Sequence, residues 1–191
     1  MDNSKPYIHP NALVLTDAVG INTRIWAFVH VLEGAQIGKN CNICDHCFIE
    51  NDVKIGDNVT IKCGVYLWDK TRIGNKVMVG PNVVFTNDLR PRSKLHNKEF
   101  YSIIVAEGAS LGANSTILAG VTIGKYAMTG IGSVVTKNVK NHALVYGNPA
   151  KQHGWIDFEG NKLVKYKEAL WQSESGMIFI EDTEGLKLLE S

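Results

Sequence analysis

The stretch from residue 19 to residue 85 reads VGINTRIWAFVHVLEGAQIGKNCNICDHCFIENDVKIGDNVTIKCGVYLWDKTRIGNKVMVGPNVVF, with an apolar residue at every sixth position. An α-helix needs apolar residues at intervals of three and four, and a single strand alternates with a period of two. A sustained period of six is instead typical of a β-solenoid, in which short strands are joined by tight turns. The apolar positions are Val19, Ile25, Val31, Ile37, Ile43, Ile49, Ile55, Ile61, Leu67, Ile73, Val79 and Phe85.

A second period sets the number of strands in one coil. Gly20, Gly38, Gly56 and Gly74 are eighteen residues apart, which is three repeats of six. We therefore predict a three-sided parallel β-helix, with a glycine in a left-handed backbone conformation at one corner of each coil. Residues eighteen apart are then stacked about 4.8 Å from one another along the helix axis.

The composition indicates one globular domain with a small appendage. The chain has 191 residues, of which 45% are hydrophobic and 20% are charged. A net charge of +1 gives no electrostatic reason to expect nucleic acid or an anionic membrane as a partner. The first ten residues, MDNSKPYIHP, lack the pattern of a signal peptide, and no apolar run reaches membrane-spanning length. A cytoplasmic protein is therefore expected.

The six-residue period is interrupted once and then ends. It fails at residues 87–104, NDLRPRSKLHNKEFYSII, and resumes at Val105, so we expect these residues to form a loop extruded from one corner. Such loops often carry function. From residue 153 the chain changes character, with a predicted hairpin turn at Gly160-Asn161. We therefore predict a β-helix domain over 1–152 and a C-terminal extension over 153–191.

The eighteen-residue register predicts a polar edge next to the root of this loop. Trp68 lies on that edge and is predicted to be exposed, where it would stack on a base or a sugar face, or contact another subunit. An ordinary solvated corner is the alternative, because corners of β-helices are usually polar. His46 falls on a different corner. The stacked columns are Glu33, Asn51, Asp69 and Asn87, beside Leu32, Glu50, Trp68 and Thr86, and beside Gly34, Asp52, Lys70 and Asp88.

The cysteines allow two interpretations. Cys41, Cys44, Cys47 and His46 are spaced like a zinc knuckle. Cys41 and Cys47, however, occupy small interior positions of the repeat, so packing is favoured and no metal is predicted. The histidines do not share a column, which argues against a three-histidine metal site within one chain; ligands drawn from two subunits stay open.

The I-G-x-N-x-x-I pattern resembles the hexapeptide-repeat acyltransferases. This resemblance implies a left-handed β-helix, assembled as a homotrimer with active sites at the subunit interfaces. Residues 112–152, from GANSTILAG to GNPAKQ, are similar to the acetyl-CoA end of that family. The segments NICDHCFIENDVKIGDNVTIK, GVYLWD and GPNVVFTNDLRPRSK resemble the enzymes that acetylate the 3-amino group of nucleotide-linked 3-amino-3,6-dideoxyhexoses. Relatives acting on UDP-linked 3-amino uronic acids carry a Tyr where Trp68 stands, which favours a dTDP-linked sugar.

The resemblance also implies roles for individual residues. Asn87 would contact the sugar amine, which would attack the acetyl thioester directly. In the rival mechanism, Asp88 or His46 acts as a general base. Lysines suit the phosphates of coenzyme A, and glycines would allow its pantetheine to approach the backbone. The sugar nucleotide would contact Glu50, Asn51, Trp68, Asp69 and Arg92, and the acetyl-CoA cosubstrate would contact Ala113, Gly130, Ile131, Thr136, Lys137 and Lys151.

Three other functions stay open on the sequence alone. An O-acetyltransferase would need a histidine base, for which His30 and His96 are candidates. A zinc hydratase built on the same fold would need three convergent histidines. A non-catalytic scaffold would bind no acetyl-CoA.

Overall fold

The computed structural model describes residues 5–95 and 100–190, and none of these residues is helical. Nineteen strands of two residues each come first: β1 (Tyr7–Ile8), β2 (Leu13–Val14), β3 (Arg24–Ile25), β4 (His30–Val31), β5 (Gln36–Ile37), β6 (Asn42–Ile43), β7 (Phe48–Ile49), β8 (Lys54–Ile55), β9 (Thr60–Ile61), β10 (Tyr66–Leu67), β11 (Arg72–Ile73), β12 (Met78–Val79), β13 (Val84–Phe85), β14 (Ile104–Val105), β15 (Ser110–Leu111), β16 (Thr116–Ile117), β17 (Thr122–Ile123), β18 (Met128–Thr129) and β19 (Val134–Val135). Longer strands follow: β20 (Ala143–Gly147), β21 (Ala150–Trp155), β22 (Val164–Lys167), β23 (Leu170–Gln172), β24 (Ile178–Asp182) and β25 (Gly185–Glu190).

The short strands stack into three parallel sheets that form the sides of a prism. Face A runs β1-β3-β6-β9-β12-β15-β18 and continues into β20 and β21, face B runs from β2 to β19, and face C runs from β5 to β17. Tyr66 of β10 pairs with Phe48 of β7, eighteen residues earlier. The predicted three-sided coil of eighteen residues is therefore confirmed, in an architecture consistent with the expected left-handed β-helix. In the ranges that the structure describes, no helix has the length and apolar character needed to span a bilayer.

The interior of the prism is filled by the second residue of each strand and a small partner from the following turn. Ile43 and Ile61 are fully buried, and burying such a side chain stabilises the fold by about 1.5–3 kcal/mol. Cys41 and Cys47 occupy small interior positions, as predicted. Their thiols lie 3.1 Å from the Gly56 carbonyl and 3.2 Å from the Lys62 carbonyl, respectively. Burial raises the pKa of both, that of Cys47 to about 12.

The prediction for the repeated glycines is wrong in its cause. None of Gly20, Gly38, Gly56 and Gly74 is among the residues with a positive φ. They are needed for close approach instead, because a Cβ on Gly38 would lie 2.5 Å from the Gly56 carbonyl oxygen of the next coil. The left-handed conformation falls two residues later, where Asn usually stands, at Asn22 (φ 57), Asn40 (φ 57), Asn58 (φ 59) and Lys76 (φ 58).

The predicted loop leaves and re-enters the β-helix at one corner, between β13 and β14. Arg72 of β11 pairs with Ile104 of β14, a separation of 32 residues where neighbouring coils have eighteen, so the loop inserts fourteen residues into one turn. Residues 92 and 95 form a single antiparallel bridge within it. Residues 96–99, including the candidate base His96, lie outside the described residues.

The C-terminal part closes one end of the prism. Strand β20 pairs with β18 of face A and turns back into β21, so the repeat continues for one more rung than the sequence suggests. The hairpin predicted at Gly160-Asn161 is reduced to one bridge between Ile156 and Lys162. Strands β22 to β25 form an antiparallel sheet that meets the coil where Asn141 pairs with Gly185.

His142 joins the coil to this C-terminal sheet. It is 4% exposed, its Nδ1 lies 3.0 Å from the Ile156 carbonyl oxygen, and its ring packs against Tyr126 and Phe179. Burial lowers its pKa below the usual 6.5, against the opposing effects of the Ile156 carbonyl and the Asp157 carboxylate.

We expect this histidine to weaken the fold in acid. Below about pH 6.5 the unfolded chain binds a proton on His142 that the folded chain excludes, so the free energy of unfolding falls as the pH drops. Urea unfolding at about pH 7.5 and about pH 5.5 measures the loss, which His142→Phe should reduce. His153→Asn, at an exposed ring, is the matched control, and an equal pH dependence in wild type and His142→Phe would contradict the assignment.

Candidate active site

The corner between faces B and C, called the B–C corner below, brings together the residues that follow each face B strand. Val84 pairs with Tyr66 on one side and with Thr116 on the other, and Thr116 pairs with Val134. Asp69 follows Tyr66 by three residues and Asn87 follows Val84 by three, so the two lie in adjacent coils on the same edge, as the register predicts. The column includes Glu33, Asn51, Asp69, Asn87, Ala119 and Lys137.

Three polar residues predicted to contact the substrate are bound to the backbone of the adjacent coil. Oε2 of Glu50 accepts a hydrogen bond from the Asp69 N–H (2.7 Å), and Oδ1 of Asp69 accepts one from the Asp52 N–H (2.6 Å). Oδ1 of Asn51 accepts one from the Gly34 N–H (3.3 Å). Each bond satisfies a donor that the tight corner would leave unpaired. These side chains therefore order the corner.

Trp68 is half-buried, so the prediction of an exposed aromatic is wrong. Its ring packs against Phe48 and Tyr66, with ring centroids 5.8 and 6.3 Å away. Its Nε1–H donates to the Phe85 carbonyl oxygen (2.8 Å), because a buried indole N–H needs an acceptor. This bond holds the end of β13, two residues before Asn87. Trp68 thus positions the strand that carries Asn87.

Asn87 differs from its neighbours in the column. Its backbone carbonyl accepts from the Tyr101 N–H (3.2 Å), which closes the root of the loop. Among the described residues, none hydrogen-bonds to its half-buried side-chain amide, which is left with a donor and an acceptor for a ligand. The next residue, Asp88, is engaged locally, since its Oδ1 accepts from the Arg90 N–H (2.7 Å).

A basic cavity of about 370 Å³ lies on the same corner, two coils beyond Asn87. Lys137 belongs to the column of Asn87, about 10 Å away at the spacing of successive coils. Lys140 also lines the cavity, although no sequence motif singled it out; its signal is a second Lys three residues after Lys137. The lining residues are Val135, Thr136, Lys137, Asn138, Val139, Lys140, Val145, Pro149, Ala150, Lys151 and Gln152.

Other predicted residues lie elsewhere within the chain. Ala113, Gly130 and Ile131 are on the corner between faces A and B, called the A–B corner below, as is His46. His46 is exposed and stacks on Phe28 of the preceding coil, with ring centroids 5.0 Å apart. One chain therefore does not bring His46 to the amide of Asn87.

Arg92 lies within the loop, where its Nη1 donates to the Pro91 carbonyl oxygen (2.8 Å). In the part of the chain that the structure describes, no three His, Cys, Asp or Glu side chains converge as a metal-binding group.

Comparisons with known proteins agree with this architecture. Residues 18–51 and 52–87 match the family described as bacterial transferase hexapeptide (six repeats). The dTDP-3-amino-3,6-dideoxy-alpha-D-galactopyranose 3-N-acetyltransferase of Aneurinibacillus thermoaerophilus is 61% identical over 150 residues, which cover 78% of this chain and 78% of that one.

Two solved structures share the fold. The polySia-specific acetyltransferase NeuO has a TM-score of 0.55 at 23% identity, covering 78% of this chain and 74% of that one. The N-acyltransferase AntD from Bacillus cereus, in complex with dTDP and coenzyme A, has a TM-score of 0.52 at 18% identity, covering 79% and 84%. The period of six, the three-sided coil and these matches together show that the chain belongs to the family of hexapeptide-repeat acyltransferases.

Proposed function

We propose that this protein transfers the acetyl group of acetyl-CoA to the 3-amino group of a dTDP-linked 3-amino-3,6-dideoxyhexose. The observation that carries the proposal is the 61% identity to a relative with that activity in its name, over 78% of both chains. The cytoplasm is the proposed location, since acetyl-CoA and nucleotide sugars are intracellular metabolites. Residues 1–152 are proposed as the catalytic β-helix and residues 153–191 as an extension that covers its end.

The free amide of Asn87 is the proposed contact for the acceptor. Its Oδ1 accepts a hydrogen bond from the neutral sugar amine, which directs the nitrogen lone pair at the thioester carbonyl carbon. The C–N bond forms and gives a tetrahedral oxyanion; its collapse breaks the C–S bond, and the departing thiolate takes the proton from nitrogen. A neutral amine needs positioning more than deprotonation. The local bond of Asp88 favours this mechanism over Asp88 as a general base, while His46 of a neighbouring chain stays the rival base.

The basic cavity is the proposed site for the phosphates of coenzyme A. Lys137, Lys140 and Lys151 are exposed cations around one concave surface, which suits a polyanionic ligand. The cavity shares the B–C corner with Asn87, so a cosubstrate bound there can extend along this corner towards the acceptor.

A homotrimer closed through face B is proposed as the assembly. Leu13, Tyr66 and Val84 point outward from this face and are 53%, 51% and 50% exposed. On the same face, Nε2 of His30 is buried and has no hydrogen-bond partner among the described residues, a defect that costs about 1–3 kcal/mol.

In such a ring the A–B corner of one chain adjoins the B–C corner of the next. The candidate residues on the two corners would then meet at each interface, including Ala113 and Ile131 on one side and Lys137 on the other. Light scattering on the purified protein should give the mass of three chains, and the mass of a single chain would exclude this arrangement.

The acceptor class can be tested by the release of coenzyme A thiol. With acetyl-CoA as donor, we expect turnover of dTDP-linked 3-amino-3,6-dideoxyhexoses and a lower kcat/KM for UDP-linked 3-amino uronic acids. The control acceptors carry a 3-hydroxyl in place of the amine. Activity with the hydroxyl sugars alone would identify an O-acetyltransferase, and binding of no acetyl-CoA by calorimetry would identify a scaffold.

Replacing Asn87 should reduce turnover while leaving the fold intact. We expect Asn87→Ala to lower kcat by about 10²-fold or more, the usual cost of losing one polar group that positions the reaction. His46→Asn is the comparison, and its loss should be smaller. If His46→Asn lost as much as Asn87→Ala, in the range of about 10²–10⁴-fold that a general base contributes, the direct mechanism would be wrong.

The lysine cavity should affect the binding of acetyl-CoA more than the chemical step. We expect Lys137→Ala and Lys140→Ala each to raise the KM for acetyl-CoA about 2- to 5-fold with little change in kcat. An ion pair between an exposed lysine and a phosphate is worth less than about 1 kcal/mol, which sets the size of the effect. The effect should shrink at high salt. The control is Lys125→Ala, at an exposed lysine on the corner between faces C and A. Unchanged KM values in both cavity variants would contradict the proposed phosphate site.

A further inference from the structure

A second cavity opens over face A, and its lining includes none of the residues proposed above to contact the sugar nucleotide or acetyl-CoA. Its volume is about 680 Å³, and it lies over the N-terminal coils of face A and the adjoining A–B corner. Three of the four cysteines of the chain line it, among them Cys44 and Cys63. The remaining lining residues are Asn22, Arg24, Trp26, Asn40, Cys41, Asn42 and Asp45.

The register of the coils places these two cysteines close together. Ile43 pairs with Ile61, so Cys44 stands opposite Lys62, and Cys63 is one residue further along the adjacent coil. A coil spacing of about 4.8 Å and a rise of about 3.3 Å per residue put the two Cα atoms about 6 Å apart, inside the range of about 4.4–6.8 Å that disulfides adopt. Both cysteines line the same cavity.

The surroundings distinguish this pair from the other two cysteines. Cys41 and Cys47 are buried with their thiols on interior carbonyl groups, whereas Cys44 is half-buried and Cys63 is exposed. An amide holds the Cys44 sulfur from one side, since Nδ2 of Asn42 donates to it (3.3 Å).

The orientation of that amide is itself fixed. Nε1–H of Trp26 donates to Oδ1 of Asn42 (2.7 Å), so the NH₂ group must face the sulfur. A donor on the sulfur favours its thiolate form, while burial raises the pKa of the Cys44 thiol. Cys63, the exposed partner, is therefore the thiol that a solvent oxidant meets first.

We propose that Cys44 and Cys63 are a modification site, where hydrogen peroxide drives formation of a reversible disulfide between adjacent coils. The Cys63 thiolate attacks one peroxide oxygen, the O–O bond breaks, and Cys63 becomes a sulfenic acid with release of hydroxide. The Cys44 thiolate then attacks the Cys63 sulfur, the S–O bond breaks, and water leaves after protonation. Overall, two thiols and one peroxide give one disulfide and two waters, and a dithiol reductant reverses the change.

Mass spectrometry of the whole protein after treatment with hydrogen peroxide tests the proposal. Folded protein is oxidised, then denatured and alkylated, and we expect two alkylatable thiols per chain in place of four, with the four recovered after dithiothreitol. No lysine or arginine lies between Cys41 and Cys47, so fragmentation of the tryptic peptide that carries both must assign the linkage to Cys44. A cross-link to Cys41 or Cys47, a cross-link between chains, or Cys63 sulfinic acid with Cys44 still alkylatable would overturn it.

Matched variants separate the pair from the interior cysteines. Cys44→Ser should abolish the disulfide and leave a Cys63 sulfenic acid that dimedone traps, and Cys63→Ser, at an exposed position, should abolish it without trapping. Cys47→Ala should keep the disulfide, because Ala35 and Ala109 occupy equivalent interior positions in other coils. Loss of the disulfide in Cys47→Ala, with the variant folded, would contradict the assignment as directly as its persistence in Cys63→Ser.

Discussion

The backbone hydrogen bonds between successive coils are the constraint on which the whole structure depends. The Glu50 N–H donates to the Leu67 carbonyl oxygen at 3.0 Å, and equivalent bonds recur around the prism. Because side chains alternate in direction along a strand, a slip of one residue would turn the buried isoleucines outward. The register is therefore fixed by the core, and it determines which residues share a corner.

The same constraint explains why so much of the fold could be read from the sequence. A solenoid contacts only its neighbouring coils, so a period of eighteen in the chain is also the spacing in space. That is how Asp69 and Asn87 could be assigned to one edge without coordinates, and how Cys41 and Cys47 could be placed in the interior. A loop of fourteen extra residues did not disturb this reading, because the coil resumes in phase with Ile104 on Arg72.

The orientation of corner side chains could not be read in this way. Whether a carboxylate faces solvent or accepts from a neighbouring N–H depends on where the turn leaves its donors unpaired, and the period carries no information on that. Glu50 and Asp69 are bound to backbone groups for this reason, and Trp68 turns its indole inward to reach a carbonyl. The cause of the repeated glycines was predicted wrongly for a related reason. Glycine recurs in the same pattern whether it provides a positive φ or avoids a clash, such as the 2.5 Å between a Cβ on Gly38 and the backbone of the next coil. Lys140 was not predicted as a site residue because the hairpin after the last coil completes its cavity, and the period does not predict that hairpin.

The place where the loop leaves the prism has a consequence for how such proteins diversify. A hydrogen bond from the Tyr101 N–H to the Asn87 carbonyl joins the two ends of the loop, directly beside the free amide. The strands on either side keep their partners whatever the length of the excursion, since Val84 still pairs with Thr116. Changes of loop length there cost little stability, because the entropy of loop closure grows slowly with length, and they fall beside the residue proposed to contact the acceptor. The shape of the proposed acceptor site can therefore change while the coils stay the same.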